Sequence, residues 1–241
     1  MDTCKLNGRK PKMIAHRGVS KLERENTCAA FIAAGNRSYF GIETDVHVTA
    51  DGQYVIIHDD TTTRVAGVEY VVEETDLATL RSLRLRDVVT EEIREDLCLP
   101  TLEEYISLCK KYDKIAVLEL KKRMPEEAVR GIADVVRRMG HMEKTVFISF
   151  SLDNLIDLRA YCPEQPAQYL LSSVADVDAM VETLKTYRLS LDVKYTALTR
   201  EIVEKVHAAG LEVNVWTVDD PEIGAEMIAL GVDYITSNIL E

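Results

Sequence analysis

Short β-like apolar runs alternate with longer stretches of helical periodicity along nearly the whole chain. Each run is short enough to form one buried strand. The runs predict eight strands, at residues 12–16, 41–48, 114–120, 145–150, 167–171, 189–193, 212–218 and 233–237. Between them, apolar residues recur with the period of an α-helix. This periodicity predicts helices at residues 25–36, 101–111, 125–139, 152–161, 175–187, 199–209 and 219–230.

The repeated strand–helix alternation predicts a parallel sheet that closes into a barrel. In a chain of 241 residues it favours the α/β class and a TIM (β/α)8 barrel. Only the residues NILE (238–241) follow the last predicted strand, so we expect the last helix to be shortened or missing. Capping residues Ser151 and Thr199 mark two helix starts, and Pro125 and Pro221 stand where a first helical turn accepts proline.

One region interrupts the alternation. After the second predicted strand, a turn at Asp51-Gly52 leads to a short extra strand, and about forty residues of mixed polarity follow. We expect an insertion at about residues 60–98 to pack over one rim of the barrel, either as a solvated loop or as a lid or specificity wall. Its position favours the second. No linker divides the chain, so we expect a single domain over residues 1–241.

The charge balance narrows the classes of ligand. The formal net charge is −12, and a surface this acidic disfavours general binding to nucleic acid or to anionic lipid. A small anionic substrate stays compatible if a local cationic pocket or a metal ion holds it. No apolar stretch approaches the roughly 18 residues that span a bilayer. We therefore expect no transmembrane segment and a cytoplasmic location, while the oligomeric state stays open. The five cysteines lack CxxC spacing, which predicts free thiols.

Polar side chains cluster at the predicted carboxyl ends of the strands, where TIM barrels place their active sites. Carboxylates and imidazoles at such positions are costly to bury without partners. The candidates are His16, Arg17, Glu43, Asp45, His47, His58, Glu119, Lys121, Asn214 and Trp216. Each has a structural explanation on its own, such as an ion pair between Glu119 and Lys121, a packing role for Trp216, or a hydrogen-bonded His47. Seven of them converge on one predicted rim, which favours a site: His16, Arg17, Glu43, Asp45, His58, Glu119 and Lys121.

The residue types at this rim suit the cleavage of a phosphodiester. Glu43, Asp45 and Glu119 offer the oxygen ligands that a hard divalent cation such as Mg²⁺ or Ca²⁺ prefers. Arg17 and Lys121 add fixed positive charge for phosphate oxygens. Two histidines, with unperturbed pKa values of about 6.5, can serve as general acid and base. The chain has no GxSxG, GxxxxGK[ST] or GxGxxG motif that indicates other chemistry.

Several short motifs, in order, resemble those of the glycerophosphodiester phosphodiesterase family. They are IAHRG (14–18), ENT (25–27), GIETDVHVTADG (41–52), VIIHD (55–59), LPTLEEYI (99–106), LELK (118–121), ISF (148–150), VNVWTV (213–218) and GVDYITS (231–237). Each is weak alone, but the ordered set HRG, ExD, HD, ExK and WT is specific. Arg24 departs from the family, which has proline before Glu-Asn-Thr. By the same resemblance, Glu25 and Asn26 orient the loop after the first strand.

The resemblance implies a TIM barrel with a small insertion after the second strand, and it gives each candidate a role. By position, His16 and His58 are the general acid–base pair. Arg17 and Lys121 contact the phosphate, and Trp216 lines the pocket for the alcohol. The residues that hold the cation are Glu43, Asp45 and Glu119.

The implied activity is metal-dependent hydrolysis of a small-molecule glycerophosphodiester to glycerol 3-phosphate and an alcohol. The nucleophile stays open between water and the neighbouring glycerol hydroxyl, which would give a cyclic phosphate. One alternative is a lysophospholipase D-like enzyme that acts on lysolipids, but the sequence shows no convincing apolar segment near the rim. A second is a catalytically silent barrel that binds phosphodiesters. The intact His16, His58 and carboxylates disfavour it.

Overall fold

A computed structural model of the chain describes residues 2–6 and 11–241. Its strands, in chain order, are β1 (Lys12–Ala15), β2 (Gly41–Val48), β3 (Tyr54–Ile56), β4 (Leu85–Arg86), β5 (Ile93–Arg94), β6 (Ile115–Leu120), β7 (Thr145–Ser149), β8 (Ala167–Leu171), β9 (Ser190–Lys194), β10 (Val213–Trp216) and β11 (Tyr234–Ser237). Within the described part of the chain, eight of them pair in parallel in the order β1, β2, β6 to β11, and β11 returns to β1. The predicted TIM barrel is thereby confirmed.

Helices connect and surround these strands. They are α1 (Cys28–Gly35), α2 (Thr63–Ala66), α3 (Leu77–Ser82), α4 (Leu102–Lys111), α5 (Glu126–Arg138), α6 (Leu152–Tyr161), α7 (Val177–Tyr187), α8 (Arg200–Ala208) and α9 (Pro221–Leu230). The helices expected from periodicity correspond to α1 and to α4 through α9. None of the described helices is long and apolar enough to cross a membrane. The expected cytoplasmic location stays a prediction.

The predicted helix starts are only partly confirmed. Thr199 accepts a hydrogen bond of 3.3 Å from a backbone amide in the first turn of α8, and Pro221 lies in the first turn of α9. Ser151 precedes α6, but its hydroxyl caps no amide, and its own amide donates to Ser149 Oγ at 3.1 Å. Pro125 is the residue just before α5 and not part of its first turn.

The register of the barrel decides which side chains meet at its carboxyl end. β2 and β6 pair so that Asp45 lies beside Glu119. Inside the barrel, one buried apolar cluster joins side chains from several strands, namely Ile14, Val117, Ile148, Leu170 and Tyr234. A larger buried cluster fills the space between strands and helices. The inner cluster therefore forms an apolar layer beneath the polar strand ends. An unpaired polar group buried in this layer would destabilise the folded protein.

The segment between β3 and α4 has a hydrophobic core of its own. It contains α2, a 3-10 turn at Val72–Glu74, α3 and the antiparallel pair β4–β5. Its buried apolar side chains include Val65, Leu80 and Leu85, which pack with Val55 of β3. Burial of these side chains holds the segment against β3, so it is a packed element and not a solvated loop.

Arg24 ties the loop between β1 and α1 to this segment. Its Nε donates to the carbonyl of Arg86 at 2.6 Å and its Nη2 to the carbonyl of Asp87 at 2.6 Å. Nη2 also pairs with Glu91 at 3.0 Å, and the Arg24 side chain is only 6% exposed. The departure from the family's proline therefore puts a buried cation in the loop, held by two backbone carbonyls and by Glu91.

Residues 238–241, which follow β11, form no helix. Backbone hydrogen bonds of 2.8–3.0 Å join these residues to residues 2–6. Leu6 and Leu240 pack on Gly224 of α9, where an added Cβ would lie 3.2 and 3.3 Å from their methyl groups. Two extended segments thus cover the side of the barrel where a last helix would pack.

The core of the segment between β3 and α4 gives a stability prediction. Leu80 is fully buried there, so Leu80→Ala should lower the free energy of unfolding by about 2–4 kcal/mol through lost burial and a residual cavity. Val89, in the same segment, is 76% exposed. Val89→Ala should therefore change the free energy of unfolding by less than about 0.5 kcal/mol. Urea unfolding measures both. Equal effects of the two variants would contradict a buried core.

Candidate active site

Three carboxylates converge at the carboxyl end of the barrel. Glu43 and Asp45 share the inner face of β2, and the strand register brings Glu119 of β6 beside Asp45. One oxygen from each lies within 4.8 Å of the others, and all three side chains are buried. Carboxylate oxygens at this spacing match the ligand set of a hard divalent cation such as Mg²⁺ or Ca²⁺.

The electrostatics of this cluster show a deficit of positive charge. Burial raises the pKa of Glu43 well above its usual range, and the charge of Asp45 raises it further. Burial and Asp45 also raise the pKa of Glu119 to about 7. Burial alone would raise the pKa of Asp45, but Lys121 and Arg17 outweigh it and hold that pKa low. A further cation would favour the ionised form of all three carboxylates, so these residues fit a divalent metal ion.

Two cationic side chains border the carboxylates. Lys121 Nζ lies 2.9 Å from Glu119 Oε1 and 3.3 Å from Asp45 Oδ1. Arg17 donates from its backbone amide to Glu43 Oε2 at 2.8 Å, and its Nε lies 3.4 Å from Asp45 Oδ2. Its Nη1 pairs with Glu25 at 2.9 Å. A fork of N–H donors held in this way suits the oxygens of a phosphate group.

His16 is held in one tautomer by its neighbours. Asn238 donates from its Nδ2 to Asp219 at 2.7 Å, so its Oδ1, which is 2.7 Å from His16 Nδ1, is an acceptor. His16 therefore carries its proton on Nδ1 and has a free lone pair on Nε2, which lies 3.9 Å from Glu43. Burial, with help from the Arg17 charge, lowers the pKa of His16 to about 4.

His58 has a different partner. Its Nδ1 lies 2.6 Å from Oδ1 of Asp59. Burial opposes ionisation of Asp59, but Arg64 and His58 outweigh it and lower its pKa to about 2. The ionised carboxylate can therefore accept a hydrogen bond from His58 Nδ1 and fix the orientation of the ring.

One cavity of about 230 Å³ joins these groups. Its charged side is lined by His16, Arg17, Glu43, His58 and Glu119. Its opposite side is lined by Ile148, Phe150, Leu170, Asp192, Trp216 and Thr236. The rings of Phe150 and Trp216 meet edge to face with their centroids 5.6 Å apart. The cavity therefore has a charged wall and a largely apolar wall.

The structure brings together most of the residues predicted from the sequence. Around the cavity and its carboxylates it collects His16, Arg17, Glu43, Asp45, His58, Glu119, Lys121 and Trp216. Two candidates lie elsewhere. His47 is fully buried, with its ring nitrogens 3.4 Å from Glu73 and from the His58 carbonyl, and Asn214 donates to Gln168 at 3.1 Å. The contacts of His47 and Asn214 are structural, in agreement with the structural explanation that the sequence allowed for each.

Three residues at or near the cavity were not singled out in the sequence. Asn238 follows the last strand and orients His16. Asp192 lies in the middle of β9, where a charged residue between two apolar ones could have identified it. Arg64 comes from α2, outside the strand–helix pattern, and no local signal connects it to the site.

Comparison with known proteins places the chain among relatives. The protein-family model described as the glycerophosphoryl diester phosphodiesterase family matches residues 16–240. A glycerophosphodiester phosphodiesterase of Caldanaerobacter subterraneus is 31% identical over 235 residues, covering 95% of this chain and 94% of that protein.

Solved structures agree with this match. A phosphodiesterase of Oleispira antarctica, in complex with the product sn-glycerol-3-phosphate, superposes with a TM-score of 0.88 at 28% identity and covers 95% of this chain and 94% of that one. A glycerophosphodiester phosphodiesterase of Parabacteroides distasonis gives a TM-score of 0.79 at 31% identity, with 95% and 94% coverage. On the strength of the family match and of these relatives, the chain belongs to the glycerophosphoryl diester phosphodiesterase family.

Proposed function

We propose that this protein hydrolyses glycerophosphodiesters to glycerol 3-phosphate and an alcohol, with a divalent cation and with His16 and His58 as the acid–base pair. The observation that carries the proposal is a single cavity in which two imidazoles, a guanidinium and a carboxylate cluster face one another. The relative from Oleispira antarctica, seen with sn-glycerol-3-phosphate, supports the product. We further propose that residues 1–241 act as one catalytic domain.

Substrate binding follows from the charged wall. Arg17 presents guanidinium N–H groups to the non-bridging oxygens of the phosphate, and Lys121 adds an ammonium beside Glu119. A divalent cation held by Glu43, Asp45 and Glu119 would supply further positive charge for the phosphate and for the charge that develops in the transition state. Either Mg²⁺ or Ca²⁺ fits this oxygen-only set.

Proton transfer follows from the partners of the two histidines. His16 donates from Nδ1 to Asn238, so its Nε2 can accept a proton from the attacking group, which is water or the neighbouring glycerol hydroxyl. Asp59 orients the ring of His58 through Nδ1, so that Nε2 can give a proton to the departing alkoxide. Release of a cyclic phosphate before glycerol 3-phosphate would identify the internal hydroxyl as the nucleophile.

The histidine roles predict a large loss of turnover. General acid–base assistance contributes about 10²–10⁴-fold, so His16→Ala and His58→Ala should each lower kcat by about that factor. The assay is coupled detection of glycerol 3-phosphate released from glycerophosphocholine. His207→Ala is the matched control, because His207 pairs with Asp233 on the surface, and its kcat should stay unchanged. Full activity in a folded His16→Ala or His58→Ala protein would contradict the assignment.

The carboxylate roles predict metal dependence. Excess EDTA should abolish glycerol 3-phosphate release, and Mg²⁺ or Ca²⁺ should restore it. Asp45→Asn should bind the ion more weakly by at least tenfold in calorimetry, because one anionic ligand is lost. Glu201→Gln, on the exposed face of α8, should bind it as the unaltered protein does. Activity that persists in excess EDTA would count against a metal site.

Release of choline from each of two compounds tests the alternative functions, because cleavage of lysophosphatidylcholine yields choline and lysophosphatidic acid and no glycerol 3-phosphate. Hydrolysis of lysophosphatidylcholine in preference to glycerophosphocholine would indicate a lysophospholipase D-like enzyme. Binding of both compounds without release of any product, in the presence of each ion, would indicate a catalytically silent barrel.

A further inference from the structure

Asp192 is a buried carboxyl group without a partner in the cavity wall. It lies on β9, across the barrel from β2, and is only 2% exposed. Among the residues that the structure describes, none forms a hydrogen bond or ion pair with it. The polar groups nearby are already paired, since Asn214 donates to Gln168 at 3.1 Å and accepts from Thr236 at 3.2 Å. The carboxyl oxygens of Asp192 are therefore available to accept a hydrogen bond from a ligand that enters the cavity.

The surroundings make this unusual. Leu170 and Trp216, on the strands flanking β9, line the same apolar side of the cavity as Asp192. Burying an unpaired carboxyl among apolar groups destabilises the folded protein. Such groups persist where they serve a ligand, as strained features of active sites do. The carboxyl thus points to a ligand group that can donate a hydrogen bond.

The two arms of the proposed substrate differ in what they offer. Every glycerophosphodiester carries the same glycerol arm, with hydroxyl groups that donate hydrogen bonds, whereas its alcohol arms differ widely in size and charge. Arg17 and the cation that the carboxylates would bind hold the phosphate on the charged side, so one arm must enter the enclosed side. An enclosed wall of fixed shape suits the arm that never changes.

Resting on the proposed function, we propose that Asp192 accepts a hydrogen bond from the glycerol hydroxyl farthest from the phosphate. The site thereby selects deacylated glycerophosphodiesters over lysophospholipids. An acyl chain on that hydroxyl removes the donor and leaves the carboxyl unpaired. A site built to hydrogen-bond a hydroxyl rejects an analogue that lacks it far more strongly than an apolar pocket does.

The test varies the two arms separately in the unaltered protein, Asp192→Asn and Asp192→Leu. Glycerophosphocholine and a short-chain lysophosphatidylcholine, below its micelle concentration, share choline and differ in the glycerol arm. Glycerophosphoethanolamine and glycerophosphoglycerol keep glycerol and differ in the other arm. Asp192→Leu should lower kcat/KM for all three deacylated substrates about tenfold or more and equally. Its preference over the lysolipid should shrink by about the same factor, and Asp192→Asn should lie between.

Binding and stability give readouts that do not need turnover. Calorimetry with glycerol 3-phosphate in Mg²⁺ or Ca²⁺ should show about tenfold weaker binding to Asp192→Leu, because the product keeps the glycerol arm. Asp192→Leu should also raise the melting temperature, since it removes an unpaired buried carboxyl. Asp178→Asn, on the exposed side of α7, is the control for both readouts and should change neither.

Two outcomes would overturn the inference. One is a change in preference among the three deacylated substrates, which would place Asp192 against the alcohol arm. The other is unchanged binding of glycerol 3-phosphate to a folded Asp192→Leu protein. If the unaltered protein released no product from any substrate, the proposed function would fail, and the binding result would still decide the role of Asp192.

A second inference concerns Arg64, which joins two carboxylates outside the cavity. Its Nη1 and Nη2 contact the two oxygens of Glu25 at 2.8 and 2.9 Å. Its Nε and Nη2 contact the two oxygens of Asp59 at 2.6 and 3.0 Å. Forked pairs of this kind fix the orientation of both partners.

Each of these carboxylates also holds a residue of the proposed active site. Glu25 Oε1 lies 2.9 Å from Arg17 Nη1, and Asp59 Oδ1 lies 2.6 Å from His58 Nδ1. Arg64 itself stands on α2, where the adjacent Val65 and Ala66 are buried in the core of the segment between β3 and α4. One side chain of the insertion thus links the phosphate-binding arginine to the acid–base histidine.

The geometry points to Arg64 as a positioning residue that sets the relative placement of Arg17 and His58. It does so through Glu25 and Asp59 and does not line the cavity. Without it, two neighbouring carboxylates would repel and release their partners. Misplacement of reacting groups by about 1 Å lowers rates by about 10²-fold, so Arg64→Ala should lower kcat/KM by roughly 10–100-fold.

Chemical rescue separates positioning from folding. The Arg64 side chain is 43% exposed, so a small cation can reach its place. Methylguanidinium should restore a large part of the activity of Arg64→Ala, and methylammonium at the same concentration should not, because only the planar fork spans both carboxylates. Arg64→Lys should stay impaired for the same reason. The melting temperatures of these variants should differ little from that of the unaltered protein.

Arg81 supplies a matched control. It lies in the same segment, away from the cavity. Its Nη1 and Nη2 donate to the two carboxylate oxygens of Glu104 at 2.5 and 2.9 Å. Arg81→Ala should keep its kcat/KM and should not respond to methylguanidinium. Unchanged activity in Arg64→Ala, or equal rescue by both cations, would overturn the positioning role.

Discussion

The mutual repulsion of three buried carboxylates is the constraint on which the rest of the site depends. The parallel register of β2 and β6 sets Asp45 beside Glu119, so neither can move away without breaking the sheet. Like charges at such distances repel strongly in a medium of low dielectric. Lys121 and Arg17 offset part of this repulsion, but burial, together with the charge of Asp45, still raises the pKa of Glu119. The site is therefore shaped to gain positive charge, and a cation brings with it an affinity for phosphate.

The loop after β1 is bent to serve these carboxylates. Arg17 and Asn26 both have φ of 54°, in the left-handed region that side chains with a Cβ avoid. The bend at Arg17 directs its backbone amide at Glu43, at 2.8 Å. The bend at Asn26 directs its amide group at Asp45 Oδ2, also at 2.8 Å, while Thr44 donates to its oxygen at 2.7 Å. Hydrogen bonds to buried carboxylates are strong enough to hold such a backbone conformation. The conformation of this loop therefore depends on the carboxylates of β2.

The sequence patterns predicted those features of the fold and the site that depend on the spacing of residues along the chain. The barrel strands, and side chains such as Glu43 and Asp45 two residues apart on one face, follow from spacing alone. Contacts between distant segments do not. Arg64 reaches Glu25 only because the segment carrying α2 packs beside the β1–α1 loop, which no pattern near residue 64 records. Ser151 is of a residue type that often caps helices, but its backbone amide donates to Ser149 Oγ instead. Asp192 was visible as a charged residue within an apolar strand, whereas its lack of a partner emerged only from its neighbours.

The barrel divides its work between two walls. β1, β2 and β6 carry the charged groups, which have to satisfy one another and leave little freedom for substitution. β7 to β10 carry the apolar wall, where one residue can change without disturbing the carboxylates. Selection among substrates is therefore most easily placed on this second wall, and Asp192 is its one carboxyl among the residues that line the described cavity. An unpaired acid there weakens the fold, so its presence argues that the contact it makes with substrate outweighs the stability it removes.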